Sequence, residues 1–197
     1  MNGPTAAELL TLTTSCQELT ARRYATDAGD VEEIPVCALN GAVYWHADMD
    51  IDCDGKPTSV CNANTDPAYQ PNTSAVDSNG APLDASKLPF MVIPLPSERF
   101  DYADHGIVLG SVAAVIFEGR VEYGVFADQG PSGIIGEASY ALAQSLGIDP
   151  DPATGGVPEG VSYLVFTGTS GQVGTIEDHA EAVSVGVARA RQLIAEN

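Results

Sequence analysis

Two groups of carboxylates in this 197-residue chain have the spacing that chemistry requires. In the first, the apolar run Tyr123–Ala127 ends at Asp128. A turn rich in Gly, Pro and Ser follows, and Glu137 stands nine positions further on. The pattern predicts a strand, a rigid turn and a helix, with the two carboxyls on its opposite shoulders. Such a pair can serve glycoside hydrolysis, where one carboxyl protonates the leaving oxygen and the other activates water or attacks the sugar. The residues fit a plainer account as well. Asp128 then caps the turn, and Glu137 is a first-turn acid favoured by the helix dipole.

The second group is Asp48, Asp50, Asp52 and Asp54, alternating with Met49, Ile51 and Cys53. In extended backbone the four aspartates share one face. Like charges so arranged call for a cation, a cationic ligand or water. A calcium loop begun at Asp50 matches Asp50, Asp52, Asp54 and Gly55, but its twelfth position is Cys61 rather than a bidentate Glu. A solvated acidic strand edge that discourages aggregation is the other account. His46, His105 and His179 lie far apart without metal-ligand spacing, and the chain has no nucleophile elbow, P-loop or dinucleotide fingerprint. Neither a metal nor a cofactor is expected. Trp45, Tyr44, Tyr102 and Tyr123 are candidates for stacking on sugar rings, although single aromatics more often belong to a core.

Composition narrows the partners. With 27 acidic and 8 basic residues the net charge is −19. Such a surface repels nucleic acid, whose binding needs Lys and Arg to displace counterions, and it repels anionic lipid. It attracts polycations, and it also gives solubility. No stretch approaches the ~18 apolar residues of a membrane span. Cys16, Cys37, Cys53 and Cys61 lack zinc-site spacing and point to two disulfides in an oxidising compartment. The short loop 54–60, with Gly55 and Pro57, favours Cys53–Cys61, leaving Cys16–Cys37. The start, Met1-Asn2-Gly3-Pro4, has no apolar leader core, so a secreted protein would have lost its leader, with Met1 added for expression.

The elements that must hold these residues read as β-rich, in one domain spanning 1–197. Thr5–Ala21 has helical spacing at Leu9, Leu10, Leu12, Cys16 and Leu19. Val36–Leu39 and Ala42–Trp45 flank Asn40-Gly41, a hairpin signal. Residues 54–88 form a long Pro/Asn/Ser/Asp-rich loop clamped by the Cys53–Cys61 bridge, of a length that tends to be functional. Strands are expected at Phe90–Leu95, Ile107–Leu109, Val112–Phe117, Val121–Ala127 and Val161–Thr167. Helices are expected at Gly136–Leu146 and Glu177–Ala195, the last burying Ala180, Val183, Val187, Ala190 and Ile194.

Taken together, the Asp48–Gly55 run and the Tyr123–Ser139 segment resemble glycoside hydrolase family 75, the chitosanases known from filamentous fungi and some actinobacteria. The resemblance runs from about Val36 to Thr167. It implies an endo-chitosanase that cleaves internal β-1,4 bonds of chitosan with inversion, using Asp128 and Glu137; the chain is expected to be secreted and monomeric. Within that pair Glu137 is assigned as general acid and Asp128 as base, and the residues pull both ways: Ile134 and Ile135 would desolvate Glu137 and raise its pKa, whereas a helix N-terminus would lower it. Asp48, Asp50 and Asp52, with Trp45 and Tyr123, become the substrate-binding set. For the fold it implies mainly β structure with peripheral helices and a compact β-barrel core, with the double-psi arrangement as one form.

Overall fold

The computed structural model describes residues 3–197; the reading of Met1 and Asn2 lies outside the described residues. Two early strands, β1 (Gln17–Glu18) and β2 (Cys37–Leu39), lead into the long strand β3 (Ala42–Asp52). They are followed by β4 (Phe90–Pro94), β5 (Val112–Phe117), β6 (Arg120–Gly130), β7 (Glu137–Ser139) and β8 (Val157–Phe166). The sheet order is β1-β2-β3-β7-β4-β6-β5-β8, and β8 returns to pair with β3. Six strands therefore close into a barrel, with β1 and β2 as an outlying flap. Closure removes the exposed edges that so many short strands would otherwise present. Two of the pairings, β3–β7 and β4–β6, are parallel.

The side chains alternate between two packed layers. Helix α1 (Ala6–Leu10) and helix α3 (His179–Glu196) lie outside the barrel and cover one layer, where Leu9, Ala182 and Leu193 meet Tyr44, Val125 and Phe166. The opposite layer fills the interior with Trp45, Met49, Met91, Phe126 and Tyr163. Helix α2 (Tyr140–Leu146) sends Leu142 into this layer against Gly124, where any side chain on β6 would collide with it.

Both disulfides form as expected, Cys16–Cys37 and Cys53–Cys61. The hairpin at Asn40-Gly41 forms, with Gly41 at φ +93°, and β5–β6 turn at Glu118-Gly119, both with positive φ. Several expectations need correction. The first helix stops at Leu10, gives one 3₁₀ turn over Thr11–Thr13, and Cys16 is drawn to Cys37 beside β1. Ile107–Leu109 is not a strand; it bends between Gly106 and Gly110, both at positive φ. Helix α3 turns Ala182, Gly186, Ala190 and Leu193 inward and leaves Ala180 exposed. Among the described residues, no helix is long and apolar enough to cross a membrane.

Candidate functional site

Asp128 and Glu137 belong to strands on either side of β4, and both pair with its Val92. On the far side of β7, Glu137 pairs with Asp50 of β3. One row thus runs Asp50, Glu137, Val92, Asp128 across four strands. Directly paired residues point to the same face. Asp128 reaches that face only through an irregularity in β6. Met91 pairs with Phe126 but Val92 pairs with Asp128, so Ala127 is an extra residue. Without this bulge Asp128 would follow Phe126 into the interior. Bulges commonly re-aim a side chain in this way. Two strand spacings separate the Cα atoms of Asp128 and Glu137, roughly 9–10 Å.

Glu137 lies in β7, not in the first turn of a helix as its spacing suggested. Helix α2 starts three residues later, with Ser139 capping it by accepting a hydrogen bond from the Leu142 N–H. The helix dipole therefore has no first-turn claim on Glu137. Burial instead pushes the Glu137 carboxyl up to about 8, helped by the charges of Asp50, Asp54 and Asp128. The backbone before it has no room for a side chain: Gly136 has φ +121°, and a Cβ there would stand 1.9 Å from Asp48 Oδ1.

Asp128 is buried, and its Oδ1 accepts three hydrogen bonds. The Ser74 N–H donates at 2.9 Å, the Ser74 hydroxyl at 2.6 Å and the Gln129 N–H at 2.8 Å. Ser74 comes from the long 54–88 loop, which is stitched to β6 by the Ala75 N–H donating to the Ala127 carbonyl. Nothing in the composition of that loop marked Ser74 as a partner of Asp128.

The run Asp48–Asp54 is divided by the structure. Asp50, Asp52 and Asp54 join Asp128 and Glu137 in one cleft of about 300 Å³, whose lining among the described residues includes Val92, Ile134 and Ile135 but no Lys, Arg or His. Asp52 is buried, accepts the Asp54 N–H at 2.6 Å, and has its carboxyl raised well above the ordinary range by burial and then by Glu137 and Asp128. Burial also raises Asp54, to about 6, against the hydrogen bond it accepts from the Gln70 N–H. One oxygen each of Asp52, Asp54 and Asp128 can be chosen within 4.8 Å of one another. Such a set of hard oxygens suits an ammonium group or a hard divalent cation. Asp48 lies outside the cleft, lining a second basin beside it.

The aromatic candidates do not reach the cleft. Trp45 is 1% exposed and stacks on Tyr163 inside the barrel, with ring centroids 5.3 Å apart. Tyr123 is buried against Gly186 of α3, where a Cβ would meet its ring at 2.2 Å. Tyr44 and Tyr102 are buried too, and among the described residues no aromatic side chain lines the cleft.

The sequence pattern of "Fungal chitosanase of glycosyl hydrolase group 75" matches residues 49–187, which includes β4, β6, β7 and all five cleft carboxylates. The chain belongs to glycosyl hydrolase group 75. Proteins similar to this group 75 chain include "Endo-chitosanase C" of Aspergillus oryzae, 37% identical over 127 residues that cover 62% of the chain and 30% of that protein. "Endo-chitosanase" of Aspergillus oryzae (strain ATCC 42149 / RIB 40) is 33% identical over 150 residues, covering 71% of the chain and 60% of that protein. "Endo-chitosanase" of Aspergillus fumigatus is 32% identical over 141 residues, 65% of the chain and 59% of its own length. The group 75 chain therefore spans from under a third to about three-fifths of the relatives it matches.

Proposed function

We propose that this chain is a secreted endo-chitosanase that hydrolyses internal β-1,4 bonds of chitosan with inversion, Glu137 acting as general acid and Asp128 as general base. The observation that carries the reading is the placement of the pair. The two carboxyls flank Val92 on one face, in a cleft whose charged side chains, among the described residues, are all carboxylates. Membership of group 75 and the names of the relatives support the substrate class.

The division of roles follows from environment. A carboxyl held up to about 8 keeps its proton at the mildly acid pH where chitosan is cationic, and can give it to the glycosidic oxygen as the bond to the anomeric carbon breaks. Asp128, steadied by three donors on one oxygen, takes a proton from the water that attacks that carbon from the opposite side. Inverting enzymes place their carboxyls ~6.5–9.5 Å apart to admit this water. The intervening strand supports a separation of that order. Asp50, Asp52 and Asp54 offer negative charge to the substrate ammonium, and Asp48 extends it beyond the cleft.

The test is release of reducing ends from chitosan at mildly acid pH, with chitin and peptidoglycan as controls. NMR of the first products should show the α-anomer. No products from chitosan would overturn the reading. If Glu137→Gln kept most activity while Asp128→Asn abolished it, the acid assignment would be wrong. The oxygen set of Asp52, Asp54 and Asp128 favours one second reading, a calcium-binding module. In that case calcium chloride would raise the melting temperature and chitosan would not be cut.

A further inference from the structure

The turn that leads into Glu137 is held from outside the barrel. Its own backbone supplies little, since the Ile134 N–H reaches the Pro131 carbonyl only at 3.5 Å, long for a hydrogen bond. Ala25 does the holding. Its N–H donates to the Gly133 carbonyl at 3.1 Å, and its carbonyl accepts the Ile135 N–H at 3.0 Å, so that Ala25 and Ile134 lie side by side as a parallel bridge. Ile134 and Ile135 both line the cleft, immediately before Gly136 and Glu137.

The segment bearing Ala25 is in turn tied down by Arg99, from the loop that follows β4. The Arg99 guanidinium donates through Nη1 to the Arg23 carbonyl and through Nη2 to Glu32 Oε1, the latter at 2.9 Å. The Arg99 carbonyl accepts the Ala21 N–H at 2.9 Å. The same guanidinium lies 5.9 Å from the centre of the Tyr24 ring, which is fully buried. Tyr24 and Ile34 exchange backbone hydrogen bonds at 2.9 Å each, so a grip on Arg23 and Glu32 holds both legs of the segment. Arg99 also faces the turn itself, because a Cβ on Gly133 would lie 3.9 Å from Nη2. Arg22 pairs with Glu32 as well, but its side chain is 66% exposed against 15% for Arg99. Exposed pairs contribute little, whereas a sheltered two-pronged guanidinium fixes geometry.

We propose that Arg99 is a positioning residue for the general acid: by pinning the segment 21–34 it keeps Ala25 bonded to the active-site turn, and so keeps Glu137 in place opposite Asp128. The inference rests on the reading of Glu137 as the acid. Arg99 does not line the cleft, and acts through Ala25 and the turn. Arg23, Ala25 and Glu32 all precede residue 49, where the group 75 pattern begins to match, so the segment before that pattern gains a part in the reaction.

The experiment compares Arg99→Ala and Arg99→Lys with the parent protein. A misplacement of about 1 Å can cost about a hundredfold in rate. In Arg99→Ala, kcat on a glucosamine hexamer should therefore fall about tenfold or more, with KM within about twofold of the parent. Arg99→Lys keeps the charge but offers one ammonium in place of a fork, and should recover part of the rate. Hydrogen exchange read by mass spectrometry needs no activity. It should show the peptide over 131–136 opening about tenfold faster in Arg99→Ala, with β5 unchanged. An unchanged kcat, a loss confined to KM, or exchange that quickens equally in the turn and in β5 would overturn the proposal; the last is the mark of a merely structural residue. If Arg99→Ala does not fold, Arg99→Lys carries the same test, with effects in the same direction and smaller. A parent protein that cuts no chitosan refutes the reading of Glu137 as acid and this role with it. An active parent whose turn is undisturbed in both variants refutes the positioning role alone.

Discussion

Replacing Glu137 by Gln should abolish catalysis and yet stabilise the folded protein at neutral pH. Folded Glu137 keeps its proton up to about 8, whereas the unfolded chain gives it up near the ordinary 4.5. Between those values the unfolded state binds fewer protons, so this residue's contribution is full below about pH 4.5, declines as pH rises, and is exhausted above about 8. At pH 7 the loss amounts to about 3 kcal/mol at most, and about half of that once the proton is shared among the neighbouring carboxyls. Glutamine has nearly the same shape and never ionises, so it escapes the loss. For a domain of this size 1 kcal/mol moves Tm by about 2–4 °C. Calorimetry at low salt should therefore show Glu137→Gln melting about 5 °C higher than the parent at pH 7, with almost no difference at pH 4. Equal differences at the two pH values, or a lower Tm at pH 7, would refute the claim that burial holds this carboxyl neutral.

Other outcomes follow from the same geometry. Ser74→Ala removes one of three donors to Asp128 and should lower kcat about tenfold with KM little changed, while Ser74→Thr keeps the hydroxyl and most of the rate. Steady-state kinetics on chitosan checks both. Asp50→Asn should raise KM without lowering Tm, because its side chain is exposed at the sill between cleft and basin; a lowered Tm would make the residue structural. Gly136→Ala should destabilise by about 2 kcal/mol or more, since it combines an unfavourable φ with collision against Asp48, and denaturant titration reads this directly.

Much of the frame was legible in local patterns. Asn40-Gly41 between apolar runs marked a hairpin, and the apolar runs Val112–Phe117 and Val121–Ala127 became the paired strands β5 and β6. The eight-residue spacing of Cys53 and Cys61 was short enough to close locally. What escaped the sequence depends on partners remote in the chain. Glu137–Ser139 became a strand because β3 and β4 offer it hydrogen bonds on both sides, and Ser139 rather than a residue near Gly136 then capped the helix. Alternation placed Asp48, Asp50, Asp52 and Asp54 on one face, but only the surrounding loops decide that Asp48 falls in a different cavity from Asp52. The extra residue at Ala127 leaves no mark in composition or periodicity. It shows itself only in the pairing with β4. Trp45 and Tyr123 were ambiguous between core and ligand contact, and closure of the barrel and the close approach of Gly186 decided for the core.

The bulge at Ala127 also governs how a long molecule can arrive. A carboxylate carried down the middle of a barrel can be reached only by something that enters through an open rim, which for a polymer means a free terminus. Turned to the outside, Asp128 shares a wall with Glu137 and Asp50 and is approached sideways. A chain of any length can be laid across such a wall at any point along itself. One residue inserted in one strand thus converts a problem of threading into one of lateral docking.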